Sequence, residues 1–208
     1  TQGAASMLMD AMQASGWFVV LEREGLQNLL TERKIIRASQ KKPNTPMNIQ
    51  GELPPLQAAN MMLEGGIIAY DTNVRSGGEG AGYLGIDISR EYRVDQVTVN
   101  LRAVDVRSGQ ILANVMTSKT IYSVARSAGV FKFIEFKKLL EAEVGYTTNE
   151  PAQLCVLSAI EAAVGHLLAQ GIERKMWQVA GDKTALVQDE TLDRYLTQAK
   201  VVPEGGDE

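Results

Sequence analysis

Little in this chain is available for metal or nucleophilic chemistry. It has one cysteine, Cys155, and one histidine, His166, in 208 residues. A single cysteine excludes an internal disulfide and any cysteine-built zinc site, and a single histidine excludes His-rich metal centres and most His-dependent triads. Aromatic residues are scarce at 6%. No block of Lys and Arg stands out, and the net charge is −4, so the electrostatic footprint of a nucleic-acid binder is missing. No uninterrupted apolar run approaches the ~20 residues of a membrane-crossing helix. The chain opens in TQGAASMLMDAMQASGW (1–17), with no initiator Met, basic leader or lipobox cysteine. It is expected to start after a missing N-terminal segment, where a targeting signal or anchor would lie.

The 45% hydrophobic fraction and the length suit one domain with a proper core. Ala4, Met7, Leu8, Ala11 and Met12 recur at helical spacing, and Gly16 is a suitable residue to follow the helix. WFVVL (17–21) reads as a short buried strand. EREGLQNLLTERKIIRAS (22–39) reads as an amphipathic helix with Leu26, Leu29, Leu30 and Ile36 on one side. The charges of ERKIIR (32–37) form a solvated face, with a subunit contact as the runner-up. After a turn-rich loop (41–55), LQAANMML (56–63) follows a Pro pair and reads as a short helix. EGGIIAY (64–70) leads into a strand. Two long β segments come next, 67–106 and 110–148, joined by RSG (107–109). Residues 149–177 form a long apolar helix, 184–199 a polar C-terminal helix, and 203–208 a disordered tail. Trp17 and Trp177 are expected in the core, Cys155 as a buried inert thiol, and His166 as a packing or surface residue. The fold class is α+β, an α/β domain with a mostly antiparallel sheet.

GAGYLG (80–85) matches G-x-G-x-x-G, with Asp105 downstream at about the distance of a ribose-binding acid. The motif needs a helix opening at its third glycine to receive the pyrophosphate. The chain instead continues as YLGIDISREYRVDQVTVN, in which Leu84, Ile86, Ile88, Tyr92 and Val94 alternate with Asp87, Ser89, Glu91, Arg93 and Asp95. That is a strand, so no nucleotide is expected and no cofactor is assigned. The glycines 77, 78, 80, 82 and 85 suit a bulge, a bend or a close backbone approach.

The same alternation has two possible environments, a sheet on a core with a wet outer face, or a wall between lipid and a water-filled lumen. Between 84 and 94 the even positions are mostly apolar. From Val97 through Val99, Leu101 and Ala103 the odd ones are. In the second segment Leu140, Ala142, Val144 and Tyr146 are even and apolar, whereas Glu141, Glu143, Gly145, Thr147 and Asn149 are odd. VFKFIEF (130–136) supplies an aromatic hairpin tip of the kind found at a membrane interface. Arg90 and Arg126 resist, because both have lipid-side parity. Each segment holds strands of ~9–11 residues, enough to cross a bilayer. Two hairpins cannot close a barrel, and open edges do not survive in lipid, so a membrane wall requires a ring of copies.

LEREGLQNLLTERKIIRA (21–38), AANMMLEGGIIAYDTNVRSGG (58–78), VNLRAVDVRSGQIL (99–112), TSKTI (117–121) and LLEAEVGYTTNEPAQLC (139–155) resemble the CsgG family of outer-membrane curli secretion channels. The resemblance covers almost the whole chain. It implies a non-enzymatic lipoprotein of the Gram-negative outer membrane with a periplasmic domain. Nine protomers give two hairpins each to a β-barrel, and unfolded curli subunits pass through without ATP. It implies a CsgE-like periplasmic cap and a CsgF-like surface accessory as partners, besides the homo-oligomer and lipid. The family's lipidated cysteine and constriction loop precede the residues given. On this pattern residues 1–70 begin the periplasmic domain, 71–96 form hairpin 1, 97–121 are periplasmic strands, 122–148 form hairpin 2, and 149–208 return to the periplasm. Parity then assigns Asn73, Arg75, Glu79, Glu91, Arg93, Asp95, Glu141, Glu143, Thr147 and Asn149 to the pore lining. Leu84, Tyr92, Val94, Leu140, Val144 and Tyr146 are assigned to lipid. A soluble periplasmic adaptor with the same core, its hairpins packed on partners, is the alternative.

Overall fold

The computed structural model describes residues 2–40, 53–76, 91–127, 130–134, 151–176 and 189–202. The first helix, α1 (Gln2–Ser15), ends as its sequence implies: Gly16 adopts φ +71° and its N–H reaches the Gln13 carbonyl at 3.1 Å. The expected strand at 17–21 does not form. Phe18 leans on the core, but Val19 is 80% exposed and the segment is irregular. A strand needs a neighbour to take its backbone hydrogen bonds, and the described residues place none beside it. Helix α2 (Leu26–Gln40) carries the expected stripe, with Leu26, Leu29, Leu30 and Ile36 half-buried and Glu32, Lys34 and Arg37 exposed. Arg23 Nη2 donates to the Gln57 carbonyl at 3.0 Å and Arg33 Nη2 to that of Pro54, tying α2 to the following segment.

The short helix expected at 56–63 is absent. Residues 53–59 are extended or irregular, and strand β1 (Met61–Ser76) has begun by Met61. Met61, Met62 and Leu63 pair with Asp105, Val104 and Ala103 of β2 (Glu91–Asp105), so cross-strand pairing overrides the local helix signal. Strand β3 (Ile111–Ser127) pairs with β2, and β4 (Val130–Ile134) returns along β3. All pairings are antiparallel, in the order β1-β2-β3-β4. VFKFI is therefore the returning strand and not the expected hairpin tip.

The turn between β2 and β3 explains the acid that mimicked a ribose ligand. Asp105 Oδ1 accepts from the N–H groups of Arg107 (3.0 Å) and Ser108 (2.7 Å) and from Ser108 Oγ (2.9 Å). Those bonds, the Ser108 N–H foremost, hold its carboxyl below its ordinary value. Gly109 closes the turn at φ +72°. GAGYLG itself lies outside the described residues.

Helix α3 (Pro151–Glu173) lies across the sheet. By length and composition it passes for a membrane span, but most of it is buried against the strands. Its stripe is small, with Cys155, Ala159, Ala163 and Val164 before Leu167, and it meets Val97, Val99, Leu101, Ala113, Val115 and Ile121. Small residues let the helix approach closely, and the buried Thr117 Oγ1 finds the Ala159 carbonyl at 2.8 Å. The C-terminal helix α4 (Glu190–Gln198) is shorter than the expected 184–199. Asp189 caps it, accepting from the N–H groups of Thr191 (2.8 Å) and Leu192 (3.1 Å), so the helix starts there. β5 (Lys200–Val201) then pairs with Thr117 and Ser118 of β3. Trp17 is half-buried, and Trp177 lies outside the described residues. The result is an α+β fold with an open antiparallel sheet.

Candidate functional site

β1, β2 and β3 run for 16, 15 and 17 residues. At ~3.3 Å per residue each spans roughly 50 Å, well beyond a typical strand. On β2 the odd side chains Ala103, Leu101, Val99 and Val97 are buried under α3. The next odd residue is Asp95, also fully buried. Cys155, in the second turn of α3, is in contact with it: its Sγ–H donates to the carbonyls of Lys119 (3.3 Å) and Asp95 (3.6 Å). Asp95 thus marks where the strand leaves the cover of the helix.

A buried carboxylate requires partners. Asp95 Oδ1 accepts from Arg93 Nε (3.0 Å), Arg93 Nη2 (2.9 Å), Thr72 Oγ1 (2.8 Å) and, more weakly, Tyr70 OH (3.4 Å). The donors come from both β1 and β2, so the cluster ties the two strands together where the buried row of β2 ends. Sequence reasoning missed Tyr70 and Thr72. The available signal was a lone acid continuing the apolar row Val97–Ala103.

The register decides which predicted residues share a face. Leu63, Gly65 and Ile67 stand opposite Ala103, Leu101 and Val99, odd against odd. The register then slips between Ile67 and Ala69, leaving Ile68 as an extra residue. Beyond the bulge the parity is reversed: Thr72 faces Asp95, Asn73 faces Val94, and Arg75 faces Tyr92. Directly opposed residues lie on one face of a sheet. Asn73 and Arg75 therefore do not join Glu91, Arg93 and Asp95, as their numbering predicted; they share the face of Tyr92 and Val94. Thr72, Val74 and Ser76 take their place. Asp95 is a second correction, since the chain itself covers it and leaves it no open lumen to line. Arg93 is a quarter exposed, Asn73 is exposed and Val94 half-exposed. Glu79, Glu141, Glu143, Thr147, Asn149, Leu84, Leu140, Val144 and Tyr146 lie outside the described residues.

The opposite face of the sheet carries an ion pair, Arg102 Nη2 to Glu64 Oε2 at 2.5 Å, among polar side chains. Asn100 Nδ2 donates to Asn114 Oδ1 at 2.7 Å, and Gln96 Nε2 to Ser118 Oγ at 3.3 Å. Among the described residues no group of His, Cys, Asp and Glu could hold a metal ion. Cys155 is buried, and desolvation pushes its thiol up to about 11, which makes it a poor nucleophile.

The family described as curli production assembly/transport component CsgG matches residues 1–199. The chain belongs to the CsgG family. It is 50% identical to the CsgG of Salmonella typhimurium over 203 residues, 98% of this chain and 72% of that protein. It is 51% identical to CsgG of Escherichia coli K12 over 194 residues, 93% of this chain and 69% of the relative. CsgG of Citrobacter koseri is 50% identical over the same length. Each of these relatives bears the description curli production assembly/transport component. The long antiparallel strands and the helix-backed foot are thus features of a CsgG chain.

Proposed function

We propose that this CsgG-family chain is one subunit of a ring-shaped channel in the outer membrane of a Gram-negative bacterium. The channel passes unfolded curli subunits from periplasm to surface, down a concentration or entropy difference and without ATP. The observation that carries this reading is the strand geometry: three strands of 15 to 17 residues continue past Asp95, the last buried residue of the β2 row among the described side chains. An open sheet of this kind has exposed edges, and only closure through neighbouring copies removes them in lipid. The reading takes nine copies, with the strands of 71–96 and 122–148 as the wall, and a CsgE-like cap and a CsgF-like surface accessory as partners, as the resemblance implies.

The lumen row in this proposal is Glu91 and Arg93, continued by Glu79, Glu141, Glu143, Thr147 and Asn149. Asp95 is its buried foot. Tyr92 and Val94 face outward with Leu84, Leu140, Val144 and Tyr146. A charged, hydrated wall offers an unfolded chain little apolar surface to adhere to.

Thiol labelling of the detergent-solubilised or reconstituted ring tests the assignment. Glu91→Cys, Glu141→Cys and Glu143→Cys are expected to react with a soluble charged reagent. Tyr92→Cys, Leu140→Cys and Val144→Cys are expected to stay protected. The background is low, because Cys155 is buried and its thiol is held protonated. Equal labelling of the two rows contradicts the wall and favours a soluble adaptor.

A further inference from the structure

The chain's one histidine lies on α3 in its contact with α4. Next to it, Gly165 of α3 has no room for a side chain: a Cβ there would meet Tyr195 Cβ of α4 at 2.8 Å. His166 Nε2 is enclosed and has no hydrogen-bond partner. Burial pushes the imidazole below its ordinary value of 6.5, and a backbone hydrogen bond with Leu196 of α4 offsets part of that shift. No charged side chain contributes to it. Asp10 on α1 and Glu190, Asp193 and Arg194 on α4 are exposed. On α3 itself, Glu161 reaches toward Arg194 at 3.9 Å. Lys119 of β3 is engaged with the Gln198 carbonyl at 2.5 Å.

The segment that His166 contacts is a clamp. Tyr195 OH donates to the Ala11 carbonyl at 3.0 Å, holding α1. Lys119 holds the last turn of α4. Val202 N–H donates to the Met116 carbonyl at 2.8 Å, and β5 covers Thr117 and Ser118 of β3. α4 and β5 thus fasten α1, α3 and β3 together.

We propose that His166 makes this C-terminal clamp acid-labile: protonation places a cationic N–H without an acceptor in the α3–α4 contact and releases α4 with β5. The docked state favours neutral imidazole, and the released state titrates near 6.5. Docking is therefore at full strength above that value and weakens as the pH falls below it. Release uncovers the β3 edge at Thr117 and Ser118.

Hydrogen exchange of the α4 amides, corrected for intrinsic rates, tests this between about pH 7.5 and about pH 5.5. In the unmodified chain, exchange over Leu192–Gln198 is expected to rise by up to ~10-fold per pH unit below 6.5, while the β2 amides stay protected. In His166→Phe the rise is expected to vanish. An equal rise in both proteins, or none in either, overturns the proposal. So does an NMR titration of the single imidazole at or above 6.5, a readout that needs no variant.

Discussion

Replacing Arg93 with alanine is expected to lower the melting temperature of the chain by roughly 6–12 °C. Asp95 has no exposed surface, and Arg93 supplies two of the contacts to its Oδ1. Removing one partner of a buried ion pair costs about 3–5 kcal/mol, because the remaining charge is stranded. Arg93 is a quarter exposed, so the low end, about 3 kcal/mol, applies. In a chain of this length each kcal/mol moves the melting temperature by about 2–4 °C. Replacing both partners, as Arg93→Ala with Asp95→Leu, is expected to recover most of the loss, since no buried charge remains. Calorimetry or circular dichroism of the two variants beside the unmodified chain measures it. A loss below about 1 kcal/mol for Arg93→Ala would mean that Thr72 and Tyr70 alone satisfy the carboxylate.

The second large effect belongs to Tyr195. Its side chain is 1% exposed and wedges against Gly165, while its hydroxyl holds the Ala11 carbonyl. Tyr195→Ala is expected to cost about 3–5 kcal/mol through lost burial and the cavity left behind. Tyr195→Phe keeps the ring and loses one hydrogen bond to a carbonyl that still lies within the α1 ladder, at about 1 kcal/mol. Denaturant unfolding separates the two. If alanine and phenylalanine cost the same, the ring contributes nothing and the hydroxyl alone anchors α4.

The helices of this fold were legible where the chain carries its own punctuation. Gly16 ended α1 as expected, the stripe of Leu26, Leu29 and Leu30 marked α2, and RSG marked the β2–β3 turn. The misses share a cause: each depended on a neighbour distant in sequence. WFVVL has strand chemistry but no strand beside it among the described residues. LQAANMML has helix signals, but its last residues pair with β2. The parity rule worked on β2, where the odd row is buried from Asp95 to Ala103. It failed on β1, because the extra residue at Ile68 reversed the faces of Asn73 and Arg75, and a bulge appears in the pairing before it appears in the residues. Asp95 kept the parity of its row but not its expected environment. Its neighbours Thr72 and Tyr70 come from another strand and could not be inferred from the β2 sequence.

The central claim is that these strands close into a ring across neighbouring copies. Electron microscopy of the detergent-extracted full-length protein, viewed down the particle axis, tests it most directly. Rings with a central hole and nine subunits are the expected image. Small compact particles without a hole would contradict the channel and leave the lumen row at Glu91 and Arg93 without a lumen.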